Sequence, residues 1–212
     1  ARANNGGSVG VAWGCDVLSA TGGRITVAHG TSSSESVSMG LLTQLAAVRQ
    51  VIEEGAKVVN ISLGWNVRNY LASGTGRCLT RDQANQVDTE FGSTETNSMT
   101  SSLFRRLAQG LGKDVLFTLS AGNDCADVVG GPFQAAADLD NVITVAAVNG
   151  DGNLSSFSNW NAGVAAPGRC GFTDPGAPCG LWSTKPDDHY DYDYGTSMAA
   201  PVVAGVAALV RS

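Results

Sequence analysis

Short apolar, β-branched runs separated by helical stretches constrain this chain more than any other feature. Asp16–Ser19, Lys57–Leu63, Val115–Leu119 and Val142–Val148 read as buried parallel strands. Between the first two, Leu41, Leu42, Leu45, Val48, Val51 and Ile52 recur at helical spacing, with Gly55 placed to end the helix. A second helix, from Ser98 to Leu111, precedes the Val115 run. Strand, helix, strand, helix, strand predicts an α/β fold, a doubly wound and mostly parallel sheet with helices on both faces and right-handed crossovers. In such sheets the ligand sits beyond the carboxyl ends of the strands. Those ends are Ser62-Leu63-Gly64 and Ser120-Ala121-Gly122-Asn123.

Size and charge narrow the function. With 212 residues, 43% of them hydrophobic, the chain suits one large domain better than two small ones. Its formal net charge of −6 and its lack of any Lys/Arg stripe argue against a nucleic-acid partner. No apolar run reaches the ~18 residues needed to span a bilayer. The stretch from Asn66 to Thr100 is polar and reads as a surface insertion. Ala1 opens without a signal peptide, as a secreted protein that has lost its leader would, and as a fragment would. Of the five cysteines, Cys170 and Cys179 bracket a Gly/Pro-rich loop and are expected to be bridged. The odd total leaves one thiol, either free and buried or paired with a cysteine outside this chain.

Ser197 carries the chemistry. It follows a glycine-containing turn and opens a run of small apolar residues, Met198 to Val210, able to lie close to neighbouring backbone. Pro201 is tolerable there because it falls in the first helical turn. A hydroxyl at a helix N-terminus sits among free N–H groups and a dipole that favour negative charge. That setting suits an acyl-transfer nucleophile, whose attack creates an oxyanion. A serine that merely caps a buried helix is the plainer alternative.

Four blocks in order weigh against the plainer alternative. They are Asn60-Ile61-Ser62-Leu63-Gly64, Ser120-Ala121-Gly122-Asn123, Phe157-Ser158-Asn159 leading to Ala166-Pro167-Gly168, and Gly195-Thr196-Ser197-Met198-Ala199-Ala200-Pro201 with Val203-Ala204-Gly205. Together they resemble the subtilisin family of serine proteases across nearly the whole chain. The resemblance implies that Ser197 attacks the scissile carbonyl, and that the Asn123 side-chain amide and the Ser197 N–H bind the oxyanion. It implies that Ser62, Leu63 and Gly64 pair with the substrate backbone as an added strand. Ala121 and Gly122 would help form the pocket for the side chain preceding the scissile bond. Val202 stands where the family commonly has a histidine, at a position that is not catalytic.

Such a protease needs an aspartate and a histidine before the serine. The chain has two histidines, His29 and His189. His29-Gly30-Thr31 copies the start of the family's histidine motif, and Asp16 stands shortly before it. Registry speaks against that pairing. Gly7 to Leu18 resembles the segment that follows the family's histidine helix, with Trp13 in place of the usual proline, so Ala1 to Asn5 reads as the tail of that helix. Ser32 to Ser36 is polar, not the small-residue helix expected behind a catalytic histidine. His29 is therefore read as a surface-loop residue. His189, among Asp187, Asp188, Asp191 and Asp193, is read as part of a solvated acidic loop, with a calcium site as the second reading.

The expectation is a subtilisin-like α/β fold incomplete at the N-terminus and also at the C-terminus, since Ser212 follows Ser197 closely. The expected function is a secreted or extracytoplasmic serine endopeptidase that requires no cofactor, structural calcium aside, and takes polypeptide substrate. The other expected partner is the missing N-terminal part of its own catalytic domain, bearing the Asp and the His. The alternative is a split or non-catalytic module that binds peptide without cleaving it. An α/β-hydrolase is disfavoured, because no Gly-x-Ser-x-Gly surrounds Ser197.

Overall fold

The computed structural model describes residues 10–20, 24–26, 36–38, 40–63, 95–125, 133–169, 180–185 and 189–212. Two short strands, β1 (Arg24–Thr26) and β2 (Ser36–Ser38), pair antiparallel. His29 falls between them, outside the described residues. Next come α1 (Leu41–Glu53), β3 (Val58–Ile61), α2 (Glu95–Gln109), β4 (Leu116–Ser120), a 3-10 turn (Gln134–Ala136), β5 (Val142–Val148) and β6 (Val164–Pro167). A hairpin of β7 (Leu181–Lys185) and β8 (His189–Asp193) then leads into α3 (Thr196–Arg211).

The central sheet has the order β3-β4-β5-β6 and every pairing in it is parallel. Alternation along the strands splits the core in two. Val59 and Ile61 of β3, Phe117 and Leu119 of β4, and Val142 of β5 pack with Leu45, Val48, Val51 and Ile52 of α1 and with Phe104 and Ala108 of α2. Val145, Ala147 and Ala166 instead meet Ala199 and Ala200 of α3. Helices thus cover both faces, as the alternation of elements predicts. Gly55, at φ 97°, adopts the left-handed conformation that ends α1, where a side chain would be strained.

Phe104 anchors the α1/α2 side. It is fully buried and meets Phe117 and Phe133 edge to face, with ring centroids 5.3 and 5.0 Å away. Phe104→Ala is expected to cost about 3–5 kcal/mol, read as a lower urea midpoint with an unchanged slope. Beside it, Arg105 donates to the Ala135 carbonyl and to the Asp138 carboxylate, fastening the 3-10 turn to α2. That hydrogen bond holds the Asp138 carboxyl below its ordinary pKa. The Asn141 amide donates to the carbonyls of Ala108, Gly112 and Val115, gathering the end of α2 just before β5.

Three expectations need correction. Asp16–Ser19 forms no strand, and Val17 is 77% exposed. A β-branched run needs a neighbour to satisfy its backbone, and among the described residues β3 is the sheet edge with none added beyond it. His189–Asp193 is a strand of a hairpin rather than part of a loop. Trp182 packs on Tyr190 and Tyr192, and Lys185 pairs with Asp193 at 2.5 Å. α2 begins at Glu95, inside the expected insertion, and Thr100 is fully buried. Residues 66–94 lie outside the described residues. So do Cys78, Cys170 and Cys179, while Cys15 is a free, half-buried thiol and Cys125 is disulfide-bonded.

Candidate active site

Ser197 occupies the first turn of α3, behind Gly195 as N-cap. Gly195 has φ 144°, and its N–H donates to the Gly168 carbonyl at 2.9 Å. Gly168 in turn donates to the Val148 carbonyl at 3.0 Å, so the ends of β5 and β6 brace the turn that presents the serine. No side chain fits there. A Cβ on Gly168 would lie 2.5 Å from the Ala147 Cβ and 2.7 Å from the Gly195 carbonyl oxygen. Ser197 itself stays partly exposed, and its backbone N–H has no acceptor among the described residues.

Asn123 sits opposite, just past the end of β4, with its side chain exposed. Its Oδ1 accepts from the Thr196 N–H at 2.9 Å and from the Thr196 hydroxyl at 3.0 Å. Because a backbone N–H can only donate, the bonded atom must be the amide oxygen. Nδ2 is then the end left over, and it has no partner among the described residues. Thr196, fully buried, also accepts at its hydroxyl from the Gly122 N–H at 3.2 Å. Asn123 and Ser197 are thereby joined through one residue.

A second set of bonds ties the serine to β3. Thr118 donates to Asn60 Oδ1 at 3.1 Å, Asn60 Nδ2 donates to the Ser62 hydroxyl at 2.9 Å, and that hydroxyl donates to the Ser197 carbonyl at 2.9 Å. Gln134 completes the floor. Its Nε2 reaches the carbonyls of Leu63 at 2.9 Å and Ser120 at 2.8 Å, linking the ends of β3 and β4. The structure therefore brings together Ser197, Asn123, Ser62, Leu63, Ala121 and Gly122. Gly64 lies outside the described residues.

Gln134 and Asn159 belong to the same assembly. Gln134 carries no local signal in the sequence, since its partners lie 71 and 14 positions away in the chain. Asn159 stands in the sequence within the Phe157-Ser158-Asn159 block, with no local sign of its partners.

His189 is not part of this cluster. It is exposed and pairs across the hairpin with Lys185, at the end of β8 farther along the chain from Ser197. Four residue steps separate it from Asp193, roughly 13 Å of strand. Among the described residues, no group of three or more His, Cys, Asp or Glu side chains is placed to hold a metal ion.

A sheet of parallel strands with a small-residue helix presenting a serine beyond their carboxyl ends is the arrangement of a subtilisin-type hydrolase. The chain belongs to the subtilase family, whose match takes in residues 1–212. It is 40% identical over 103 residues to an extracellular protease of Xanthomonas campestris pv. campestris, covering 44% of this chain and 16% of that protein. It is 30% identical over 176 residues to a thermophilic serine proteinase of Bacillus sp. strain AK1, covering 82% of this chain and 33% of that protein. Among solved structures, the prenylagaramide maturation protease PagA aligns with a TM-score of 0.55 at 26% identity, over 85% of this chain and 52% of that one. The chain thus matches a third or less of these two relatives' length and about half of that structure.

Proposed function

We propose that this chain supplies the nucleophile half of a serine endopeptidase, acting on polypeptides through an acyl-enzyme at Ser197. The Asn123 amide carries the reading. Its oxygen is fixed to Thr196, so its N–H groups and the Ser197 N–H are the donors left for a developing oxyanion. Attack by the Ser197 oxygen on the scissile carbonyl would form a tetrahedral intermediate, and its collapse would expel the amine and leave an ester. Water would then hydrolyse the ester.

Substrate would lie along Ser62 to Gly64 as an added strand. In an extended segment successive carbonyls point to opposite edges. With the Leu63 carbonyl held by Gln134, Ser62 and Gly64 would offer their backbone to the peptide. Leu63 would offer its side chain, with Ala121 and Gly122, to the residue preceding the scissile bond. On this reading no cofactor is required. The general base and its carboxylate come from a segment outside this chain, the partner that completes the site. An extracytoplasmic location accords with the disulfide at Cys125, and among the described residues no helix is long and apolar enough to cross a membrane.

A fluorophosphonate probe tests the proposal. This chain alone should label slowly, and addition of the base-bearing segment should speed labelling at Ser197. Rapid stoichiometric labelling of the chain alone would mean that it already holds a base, and would revive His29. Peptide binding with no labelling in either state would favour the split, non-cleaving module.

A further inference from the structure

From the hydrogen bonds around the loop after β4 we infer that Asn159 is a positioning residue for the oxyanion donor, acting on Asn123 through the loop that carries it. The inference rests on the proposed role of Asn123. Asn159 is 4% exposed and lies between β5 and β6. Its Nδ2 donates to the Ala121 carbonyl at 2.9 Å, and its Oδ1 accepts from the Asp124 N–H at 2.9 Å. Its own N–H donates to the Gly122 carbonyl at 3.0 Å. Two residues before Asn123 and the one after it are thus held by a single residue, with Asn123 at the centre of the span. The Cys125 N–H, donating to the Phe157 carbonyl at 2.9 Å, extends the seam.

Gly122 is shaped to this clamp. It has φ 104°, and a Cβ there would lie 2.5 Å from Asn159 Nδ2. The amide therefore fills the space that a side chain on Gly122 would take. Both ends of the Asn159 amide are needed, one as donor and one as acceptor. A carboxylate keeps the acceptor for Asp124 but sets an anion against the Ala121 carbonyl. A protonated carboxyl restores the donor. Low pH should therefore repair Asn159→Asp, a response that a space-filling role would not give.

The experiment uses the active protease formed by this chain with the base-bearing segment, and kcat is counted per active site titrated with fluorophosphonate. Asn159→Asp should lose about tenfold to a hundredfold in kcat at alkaline pH with KM little changed, since an oxyanion contact acts in the transition state. Its kcat relative to wild type should recover as pH falls through the pKa of the introduced carboxyl, which burial raises. The Asp124 carboxylate lies beside the same glycine, 3.6 Å from the Gly122 Cβ position, and would raise that pKa further. The titration of the catalytic base is common to both proteins, and dividing by wild type removes it.

Asn159→Ala, which adds no charge, should lose kcat without the acid recovery, and it serves if the aspartate variant does not fold. Wild-type kcat in both variants, or a flat ratio across pH in Asn159→Asp, would overturn the inference. Ser197→Ala in the same protease separates the two ideas. If it keeps its activity, the proposed function fails. If it is inactive while the Asn159 variants match wild type, only the role of Asn159 fails.

Discussion

Ser197→Ala is expected to lower peptide hydrolysis by about 10⁶-fold in the active protease, the scale known for loss of a subtilisin nucleophile. The structure gives a reason to expect a clean loss. Ser197 is tied to its surroundings through its backbone carbonyl, which accepts from Ser62, while its hydroxyl holds nothing together among the described residues. Alanine keeps that carbonyl bond and is a better helix former than serine. Folding stability should therefore stay within about 0.5 kcal/mol of wild type, and the urea midpoint should hardly move. A residual rate of ~10³–10⁴ over water would remain from the oxyanion donors and binding. Hydrolysis unchanged by the substitution would assign the chemistry to another residue.

Replacement of Asn123 should give the second largest effect, about 10²–10³ in kcat, the loss known for removing this kind of donor in a subtilisin. Here the choice of substitute matters, because the two ends of the amide do different work. Asn123→Ala removes the free donor and also strips the acceptor from the buried Thr196 N–H and hydroxyl, so it should cost about 1–3 kcal/mol of stability as well. Asn123→Asp keeps an oxygen for Thr196 and replaces the donor with a negative charge beside the developing oxyanion. It should fold as well as wild type and lose at least as much kcat as the alanine variant. If Asn123→Asp keeps its rate, Asn123 is a structural cap and the oxyanion is bound elsewhere.

What the sequence made legible and what it hid divide along a physical line. α1 could be read because its buried stripe repeats within the helix and because Gly55 marks its end. β5 could be read because its seven residues are all apolar or β-branched, five of them buried and two half-buried. β6 could not, since Val-Ala-Ala-Pro is short, small and ends in proline, and its strand character comes from pairing with β5. β8 carried a signal that its charge obscured. Tyr190 and Tyr192 alternate with Asp191 and Asp193, a period of two that suits a half-exposed strand. Asp16–Ser19 shows the reverse error, a strand-like composition without a partner strand among the described residues.

At the candidate site, the helix-terminal setting of Ser197 and the family resemblance of the motif blocks point to Ser197, and the resemblance alone points to Asn123. The supports were hidden. Gln134 meets Leu63 across 71 positions and Asn159 meets Asp124 across 35, and no local pattern announces such partners.

The turn before Ser197 is assembled from residues with almost nothing to rotate. Gly168 lies against Gly195 and Ala147, and Ala199 and Ala200 face the sheet fully buried. Glycine and alanine have no side-chain rotamer freedom to lose on folding. The brace between this turn and the ends of β5 and β6 is therefore made by main chain, with no alternative rotamers to populate there on warming. The misalignment available at this joint is a movement of whole strands, and it should set in with loss of the fold itself rather than gradually before it.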